Sequence, residues 1–316
     1  MTNTSRSKFA ASINKLLRRG GFQLVRSATL KKLADTRFWL TELDQLDVRT
    51  AALESRLNND GIKDIIAYTM KAHWRTVDLI EQIIPSDPSL RCALCGHVGD
   101  LKTFEQIKST CQFFGGQLLR HRCPTCDSIF GPQKMLQLDE QMVSLEYRNL
   151  YRIYAEGDST ESTVHTFELL SPKRGGTYLD FGCGGEWSAA IAKLRQKEWD
   201  IYGFEPNVRN SSEHVFSTWA EAEQRRFDGI LSHNVLEHLF DPVGTTRQLR
   251  TLLTPDGMLV HATSCFEYTY EYSRFHVFFF TGRSPDVLAR NADMQITDWS
   301  QDDELIACTM ERSSSQ

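Results

Sequence analysis

The sequence lacks any long apolar run. Across its 316 residues, no stretch approaches the roughly 20 consecutive apolar residues that a membrane span needs, and no apolar core of a signal peptide opens the chain. We therefore expect a cytoplasmic protein. The hydrophobic share of 41% and charged share of 24% are ordinary for a globular protein, and the length predicts two or three domains.

Acidic residues are missing from the first 33 positions, which carry eight basic ones: Arg6, Lys8, Lys15, Arg18, Arg19, Arg26, Lys31 and Lys32. The whole chain nevertheless has a net charge of -5, so the remainder is acidic. That balance argues against a nucleic-acid partner. The basic segment is interpreted as a solvated tail, with peripheral contact to a membrane surface as the alternative.

The cysteine pattern does not predict a disulfide framework. Four of the eight cysteines stand singly (Cys111, Cys183, Cys265 and Cys308), and the other four form two Cys-x-x-Cys pairs. Without a secretion signal, such pairs are typical of metal binding in a reducing compartment.

The paired cysteines predict a structural zinc site. Cys92 and Cys95 form one pair and Cys123 and Cys126 the other, with 27 residues between them. Two such turns complete a tetrahedral shell of four sulfurs and leave no open position for catalysis. A β-strand over Gln117–Arg122 would bring the pairs together. His97, His121 or Cys111 could replace a ligand, although nothing in the sequence requires it.

The N-terminal part is expected to be a helical arm. Apolar residues from Phe9 to Leu17 share one helical face that ends at Gly20-Gly21, and a heptad seam runs from Trp39 to Leu57. The seam fits an intramolecular hairpin and a coiled coil that joins copies of the chain equally well. Asn58–Gly61 is expected to break it, followed by a helix over residues 62–84 and a linker over 85–88.

From about Val164 the pattern alternates strand and helix, which predicts a mostly parallel, seven-stranded α/β sheet. The expected strands are Thr177–Phe181, Ile201–Glu205, His214–Phe216, Gly229–His233, Met258–Ala262, Gln295–Trp299 and Leu305–Met310. The clearest helices are Val243–Leu253 and Ser284–Asn291. Ligands of such sheets bind beyond the carboxyl ends of the strands.

A glycine turn follows the first of these strands, in Asp180-Phe-Gly182-Cys-Gly184. A dinucleotide fingerprint would need a third glycine at position 187, which is Trp, so the motif disfavours NAD and an oxidoreductase. Glu205 ends the second strand, where an acid can accept hydrogen bonds from two ribose hydroxyls.

These motifs, with Gly203-Phe-Glu205-Pro206, the segment Phe227–Leu239 and Leu253-Thr-Pro-Asp-Gly257, resemble class I S-adenosylmethionine-dependent methyltransferases. Arg274-Phe-His276 and the aromatic run after it resemble the subgroup that methylates small molecules and sugars. The resemblance implies a Rossmann-like fold in which Asp180, Gly182 and Gly184 surround the methionine part, Glu205 holds the ribose, and Asn234 lines the cofactor. Glu186 stands where the family has a third glycine, and Ser217–Trp219 stand where it has an acid.

Methyl transfer to oxygen or nitrogen requires removal of a proton, for which His238 and His276 are the candidate bases. Glu237 is interpreted as an acid at a helix start, and Tyr268, Tyr270 and Tyr272 either bind a sugar or pack. The expected organisation is an arm over 1–88, a zinc-ribbon module over 89–146 and a methyltransferase domain over 147–316. The acceptor would be a small molecule or glycan. The alternative is a non-catalytic scaffold that assembles through the zinc module and the coiled coil.

Overall fold

A computed structural model describes residues 59–83, 89–155, 157–185, 188–208, 212–302 and 305–313. By contacts the chain divides into two compact units, Met1–Ile65 and Ile66–Gln316. The predicted leader helix, heptad seam and linker all lie outside the described residues, as does Glu186.

Helix α1, Asn59–Ile83, begins before the predicted start at Ile62. Asn-Asp-Gly was expected to break the helix, but these residues form its first turn instead. Polar and acidic residues are favoured there, because the first amides of a helix have no intrahelical partner.

The part that holds the cysteine pairs is built of short strands and two helices. Its elements are β1 (Ser89–Arg91), β2 (Val98–Asp100), β3 (Glu105–Thr110), β4 (Gln117–Arg122), β5 (Ile129–Phe130), α2 (Gln133–Leu136) and α3 (Glu140–Ile153). Strand β4 has the predicted bounds. The boundary expected between residues 146 and 147 falls inside α3 and stays a prediction.

Strands and helices then alternate to residue 312. The elements are α4 (Thr160–Leu169), β6 (Thr177–Phe181), α5 (Ala189–Gln196), β7 (Asp200–Phe204), β8 (Val215–Phe216), α6 (Trp219–Ala222), β9 (Phe227–His233), α7 (Pro242–Leu252), β10 (Leu253–Ala262), β11 (Phe278–Phe279), α8 (Ser284–Asn291), β12 (Met294–Asp302) and β13 (Leu305–Arg312).

Seven of these strands form one mixed sheet in the order β12-β13-β10-β9-β6-β7-β8. The strands from β10 to β8 in this order are parallel, whereas β13 runs antiparallel to both β10 and β12. The predicted seven-stranded α/β sheet is confirmed. Its central strands are buried along almost their whole length, because helices cover both faces.

The remaining strand of this region, β11, joins a different sheet. Strand β11 pairs antiparallel with β5 and completes a four-stranded sheet in the order β11-β5-β4-β3. Arg120 of β4 is fully buried and donates hydrogen bonds to the carbonyls of Glu271 at 2.7 Å, Ser273 at 2.6 Å and His276 at 3.1 Å. The four-stranded sheet is therefore hydrogen-bonded to the segment that follows β10.

A buried ionic cluster adds a second tie. Glu146 of α3 accepts hydrogen bonds from Arg274 Nη2 at 2.8 Å and from Trp74 Nε1 at 3.1 Å. Removing one partner of such a group would leave a buried charge without compensation.

Among the described helices, none is both long and apolar enough to cross a membrane.

Candidate functional site

The turn after β6 requires glycine at its first position. Gly182 has φ +79°, and a Cβ atom there would lie 2.5 Å from Val235 Cγ2. Its amide donates a 2.8 Å hydrogen bond to the carbonyl of Phe204 at the end of β7. Gly184 also has positive φ, at +83°, but a Cβ atom there would meet nothing within 4 Å. The turn is thus packed on one side and open on the other.

Two carboxylates flank this turn on neighbouring strands. Asp180 of β6 is only 3% exposed, and Glu205 follows the end of β7, directly beside β6 in the sheet. Burial, with a smaller contribution from the negative charge of Glu205, raises the pKa of Asp180 to about 7. The edge of the sheet therefore combines the charge of Glu205 with a buried carboxyl that favours its protonated form.

The loops after β7 and β9 add polar groups to the same edge. Glu205 Oε1 accepts hydrogen bonds from the backbone amide and the side-chain amide of Asn207, at 3.0 and 3.1 Å. Asn234 is exposed and has φ +53°, a conformation that asparagine tolerates well. Asp180, Gly182, Gly184, Glu205 and Asn234 thus lie at the carboxyl ends of three adjacent parallel strands.

The neighbouring Ser232 is engaged elsewhere. It is buried, and its hydroxyl lies 2.7 Å from His261 Nδ1 within the core.

Trp219 contributes an aromatic surface that sequence reasoning did not single out. Its ring packs 4.7 Å from Phe204 and 5.7 Å from Phe181, measured between ring centroids, and the side chain is half-buried. Glu221 is the acid that follows β8, but its carboxylate accepts the amides of Ser217 and Thr218 in a capping box. The signal that could have located Trp219 is this capping box, which fixes the helix start beside the strand end.

His238 and His276 lie next to each other, with ring centroids 5.0 Å apart. His238 belongs to a short 3-10 helix over Leu236–His238, and its Nδ1 lies 3.0 Å from both the carbonyl of Phe275 and the hydroxyl of Tyr147. Nδ1 of His276 lies 3.0 Å from the carbonyl of Tyr270. Burial lowers the pKa of His276 well below its usual value, so this ring is neutral at physiological pH.

Glu237 lies in the first turn of the 3-10 helix, where the sequence interpretation has it as an acid at a helix start. Its side chain is also buried beside the histidines. One ligand atom from each of Glu237, His238 and His276 lies within 4.8 Å of the others. Burial raises the pKa of Glu237.

A cavity of about 440 Å³ is formed mainly by the loop that follows β10. Its lining residues include Ser264, Tyr268, Tyr270 and Tyr272. The three tyrosines lie in turns after β10 rather than on a strand, and Tyr270 has φ +54°. The carbonyl of Tyr270 contacts His276, so one residue of the cavity lining is in direct contact with the histidine pair.

The four cysteines of the two pairs converge. Their Sγ atoms lie within 4.8 Å of one another, with Cys92 at 3.7 Å from Cys126 and Cys95 at 3.6 Å from Cys123. A tetrahedral shell with Zn–S bonds of about 2.3 Å has sulfur–sulfur edges of about 3.8 Å, so the residues fit zinc.

The two cysteine turns have the same backbone geometry. In each turn the first cysteine amide donates to the carbonyl five residues on, and the amide four residues on donates back to that cysteine. The residue after the second cysteine has positive φ in both, Gly96 at +77° and Asp127 at +67°. Cys111 and the imidazoles of His97 and His121 stay outside the cluster.

Helix α8 is held by both turns. Arg283, at its start, donates to Asp127 Oδ2 at 2.7 Å, and Asn291, at its end, donates to the carbonyl of Leu94 at 2.8 Å. The cysteine cluster therefore supports the element that follows β11.

Comparison with known proteins identifies the larger sheet. Residues 155–307 match the family model described as a methyltransferase domain. This part of the chain is therefore similar to a methyltransferase domain.

A curated relative, the ubiquinone biosynthesis O-methyltransferase of Parvibaculum lavamentivorans, is 31% identical over 99 residues. That match covers 27% of this chain and 39% of the relative, so the chain spans about two fifths of the length of that enzyme.

Solved structures with similar parts include two methyltransferases with bound S-adenosylhomocysteine. The match to the Burkholderia thailandensis 1,6-didemethyltoxoflavin-N1-methyltransferase has 15% sequence identity and a TM-score of 0.40, and it spans 66% of this chain and 100% of that enzyme's chain. The match to the magnesium protoporphyrin IX methyltransferase of Synechocystis PCC 6803 has 14% sequence identity and a TM-score of 0.40, and it spans 55% of this chain and 100% of that enzyme's chain.

Proposed function

We propose that this methyltransferase domain transfers the methyl group of S-adenosylmethionine to an oxygen or nitrogen atom of a small-molecule or glycan acceptor. The observation that carries the proposal is the arrangement at the sheet edge, where the open Gly184 turn lies between the Asp180 and Glu205 carboxylates. Glu205 at this edge suits a cofactor with ribose hydroxyls and an ammonium group. NAD is disfavoured by the missing third glycine of its fingerprint, at Trp187.

Each residue of the edge has a role in this proposal. Gly182 and Gly184 let the backbone approach the methionine part of the cofactor, and Asp180 lies beside the same part. Glu205 accepts hydrogen bonds from the ribose hydroxyls. The half-buried face of Trp219 would pack against the adenine, in place of the missing acid contact. When bound, S-adenosylmethionine supplies a methyl group whose bond to sulfur breaks, leaving the electron pair on sulfur, as the bond to the acceptor forms.

The chain then has to position the acceptor and take its proton. The tyrosine-lined cavity presents aromatic faces to a sugar or flat ring. His238 is the better placed base, because its side chain is 25% exposed, whereas burial lowers the pKa of His276 and makes that ring a poor proton acceptor. Its free nitrogen would receive the acceptor proton as the new bond forms. Alignment and exclusion of water would supply most of the acceleration.

The test is calorimetric titration of the full chain with S-adenosylhomocysteine, with NAD in parallel. We expect micromolar affinity for the former alone, and a loss of at least about tenfold in Glu205→Gln, since two charge-assisted hydrogen bonds are removed. Glu198→Gln is the matched control, because Glu198 is exposed just before β7, at the opposite end of that strand.

Binding of NAD instead would overturn the proposal in favour of an oxidoreductase. Binding of neither cofactor by the folded protein would favour the scaffold alternative. We also propose that the four-cysteine cluster binds a structural zinc ion. Metal analysis of freshly purified reduced protein tests this.

A further inference from the structure

The cluster of Glu237, His238 and His276 has ligand atoms arranged around one point. Oε1 of Glu237 lies 4.0 Å from Nε2 of His238, and one ligand atom from each of the three residues lies within 4.8 Å of the others. Glu237 is 1% exposed, and its Oε2 has no hydrogen-bond partner among the described residues. A buried carboxylate oxygen with no donor needs an explanation.

The hydrogen bonds of the imidazoles fix which nitrogen is free. A backbone carbonyl can only accept, so Nδ1 of His238, facing Phe275, and Nδ1 of His276, facing Tyr270, must each carry a proton. Each ring is then left with its lone pair on Nε2. A histidine whose other nitrogen donates to a carbonyl is the usual arrangement of a metal ligand, because that bond fixes both the tautomer and the ring orientation.

Protein charges do not neutralise the carboxylate. Within the ranges that the structure describes, no lysine or arginine forms an ion pair with Glu237. Arg120, the buried guanidinium of this region, is engaged by the carbonyls of Glu271, Ser273 and His276. A bound divalent cation would supply the positive charge that compensates the carboxylate of Glu237.

We propose that Glu237, His238 and His276 bind a divalent ion of the first transition series, of which Zn²⁺ is the reference case. Two imidazoles and one carboxylate form a donor set of catalytic zinc and of non-haem iron sites, and they leave positions open for further ligands. The site is distinct from the four-cysteine cluster, whose sulfur shell has no open position.

The location gives the ion a role, and this step rests on the proposed methyl transfer. His238 is half-exposed, and the carbonyl of Tyr270, a residue that lines the cavity, holds His276. A hydroxyl of the acceptor could take an open position on the ion, which would lower the pKa of that hydroxyl. Its proton would pass to solvent, and an electron pair of the remaining oxyanion would form the bond to the methyl group. The ion would then replace His238 as the means of activating the acceptor.

The test is titration of the zinc-loaded full chain with Co²⁺, followed by visible absorption. We expect about one Co²⁺ per chain beyond the cysteine cluster, with the weak bands of a nitrogen and oxygen shell and no thiolate-to-metal charge transfer. Glu237→Gln and His238→Gln should each weaken this binding at least about tenfold. His165→Gln, a half-buried histidine of α4, is the control and should bind as the native chain does.

Three outcomes would overturn the metal site. These are no saturable Co²⁺ beyond the sulfur shell, unchanged binding in both variants, or an added ion with thiolate charge transfer. Because Glu237 is buried and His238 is partly buried, circular dichroism of each variant must show a native fold. Calorimetry with S-adenosylhomocysteine separates the two proposals: retained cofactor affinity with no second metal leaves methyl transfer standing with His238 as the base.

Discussion

At Gly182 two requirements coincide, a left-handed backbone and contact with Val235, whereas Gly184 has only the first. We predict that Gly184→Ala lowers the free energy of unfolding by about 1 kcal/mol, through backbone strain alone. Gly182→Ala should lower it by about 2–4 kcal/mol, because overlap with Val235 adds to the strain. Urea unfolding of both variants measures the difference, and equal losses would contradict the packing argument.

Asp180 makes stability depend on pH in an unusual direction. Its carboxyl titrates at about 7 in the folded chain against 3.8 ordinarily, so the folded state keeps a proton that the unfolded state loses in that window. Its contribution to the free energy of unfolding therefore falls as the pH rises from about 4 to about 7, and is constant above.

We predict that Asp180→Asn is more stable than the native chain at pH 8 by at most about 4 kcal/mol, and gains little near pH 4. Urea unfolding at several pH values gives the difference between the two chains. Asp256→Asn, at an exposed position near the start of β10, is the control and should show no such dependence. A constant difference across the pH range would mean that the pKa of Asp180 is the same in the folded and unfolded states.

At this scale the sequence located the glycine turn, the strand-end acid and the four cysteines, because each motif is local and its chemistry demands its spacing. It did not locate Trp219 as a pocket wall, although the capping box that begins at Thr218 fixes the start of α6 beside the end of β8. It placed Glu237 at a helix start but not in the core, where the following segment covers it: the amide of Val277 bonds to the Glu237 carbonyl.

Among the elements, helix α8 has the most to lose if the cysteine cluster opens. Arg283 and Asn291 join its two ends to the two cysteine turns, and an open turn would release both contacts. We predict that removal of zinc by a chelator speeds amide exchange in α8, whereas α5, which packs with α4 and β7, is unaffected. Hydrogen exchange with mass spectrometry measures both helices in one sample. Equal acceleration in α5 would indicate global loosening instead.

Elements were predictable where burial is continuous. The strands of the large sheet are apolar runs between glycine, acidic and turn residues, and α8 has the predicted bounds, Ser284–Asn291. Strand β11 was missed, because Phe278–Phe280 reads equally well as core or as a lid. Pairing of two residues with a distant strand leaves no local pattern.

Within residues 66–316, we expect the seven-stranded and four-stranded sheets to unfold together. Strand β11 belongs to the four-stranded sheet but lies in sequence between β10 and β12 of the seven-stranded sheet. Arg120 and Glu146 form hydrogen bonds to the same segment after β10. We predict that thiol accessibility of the cysteine pairs and far-ultraviolet circular dichroism report one urea midpoint. Exposure of the thiols at a lower urea concentration would show that the cysteine-bearing part opens by itself.

The position of β11 also constrains how the protein is made. On the ribosome, β3, β4 and β5 emerge long before Phe278 and Phe279. The four-stranded sheet therefore lacks its fourth strand while the residues between β5 and β11 are synthesised. At about 5–20 residues per second, that wait is on the order of ten seconds. During it the edge of β5, which carries Ile129 and Phe130, is open to pairing with other chains, the hazard that unpaired strand edges present. A nascent chain stalled before residue 278 is therefore the form of this protein most exposed to aggregation.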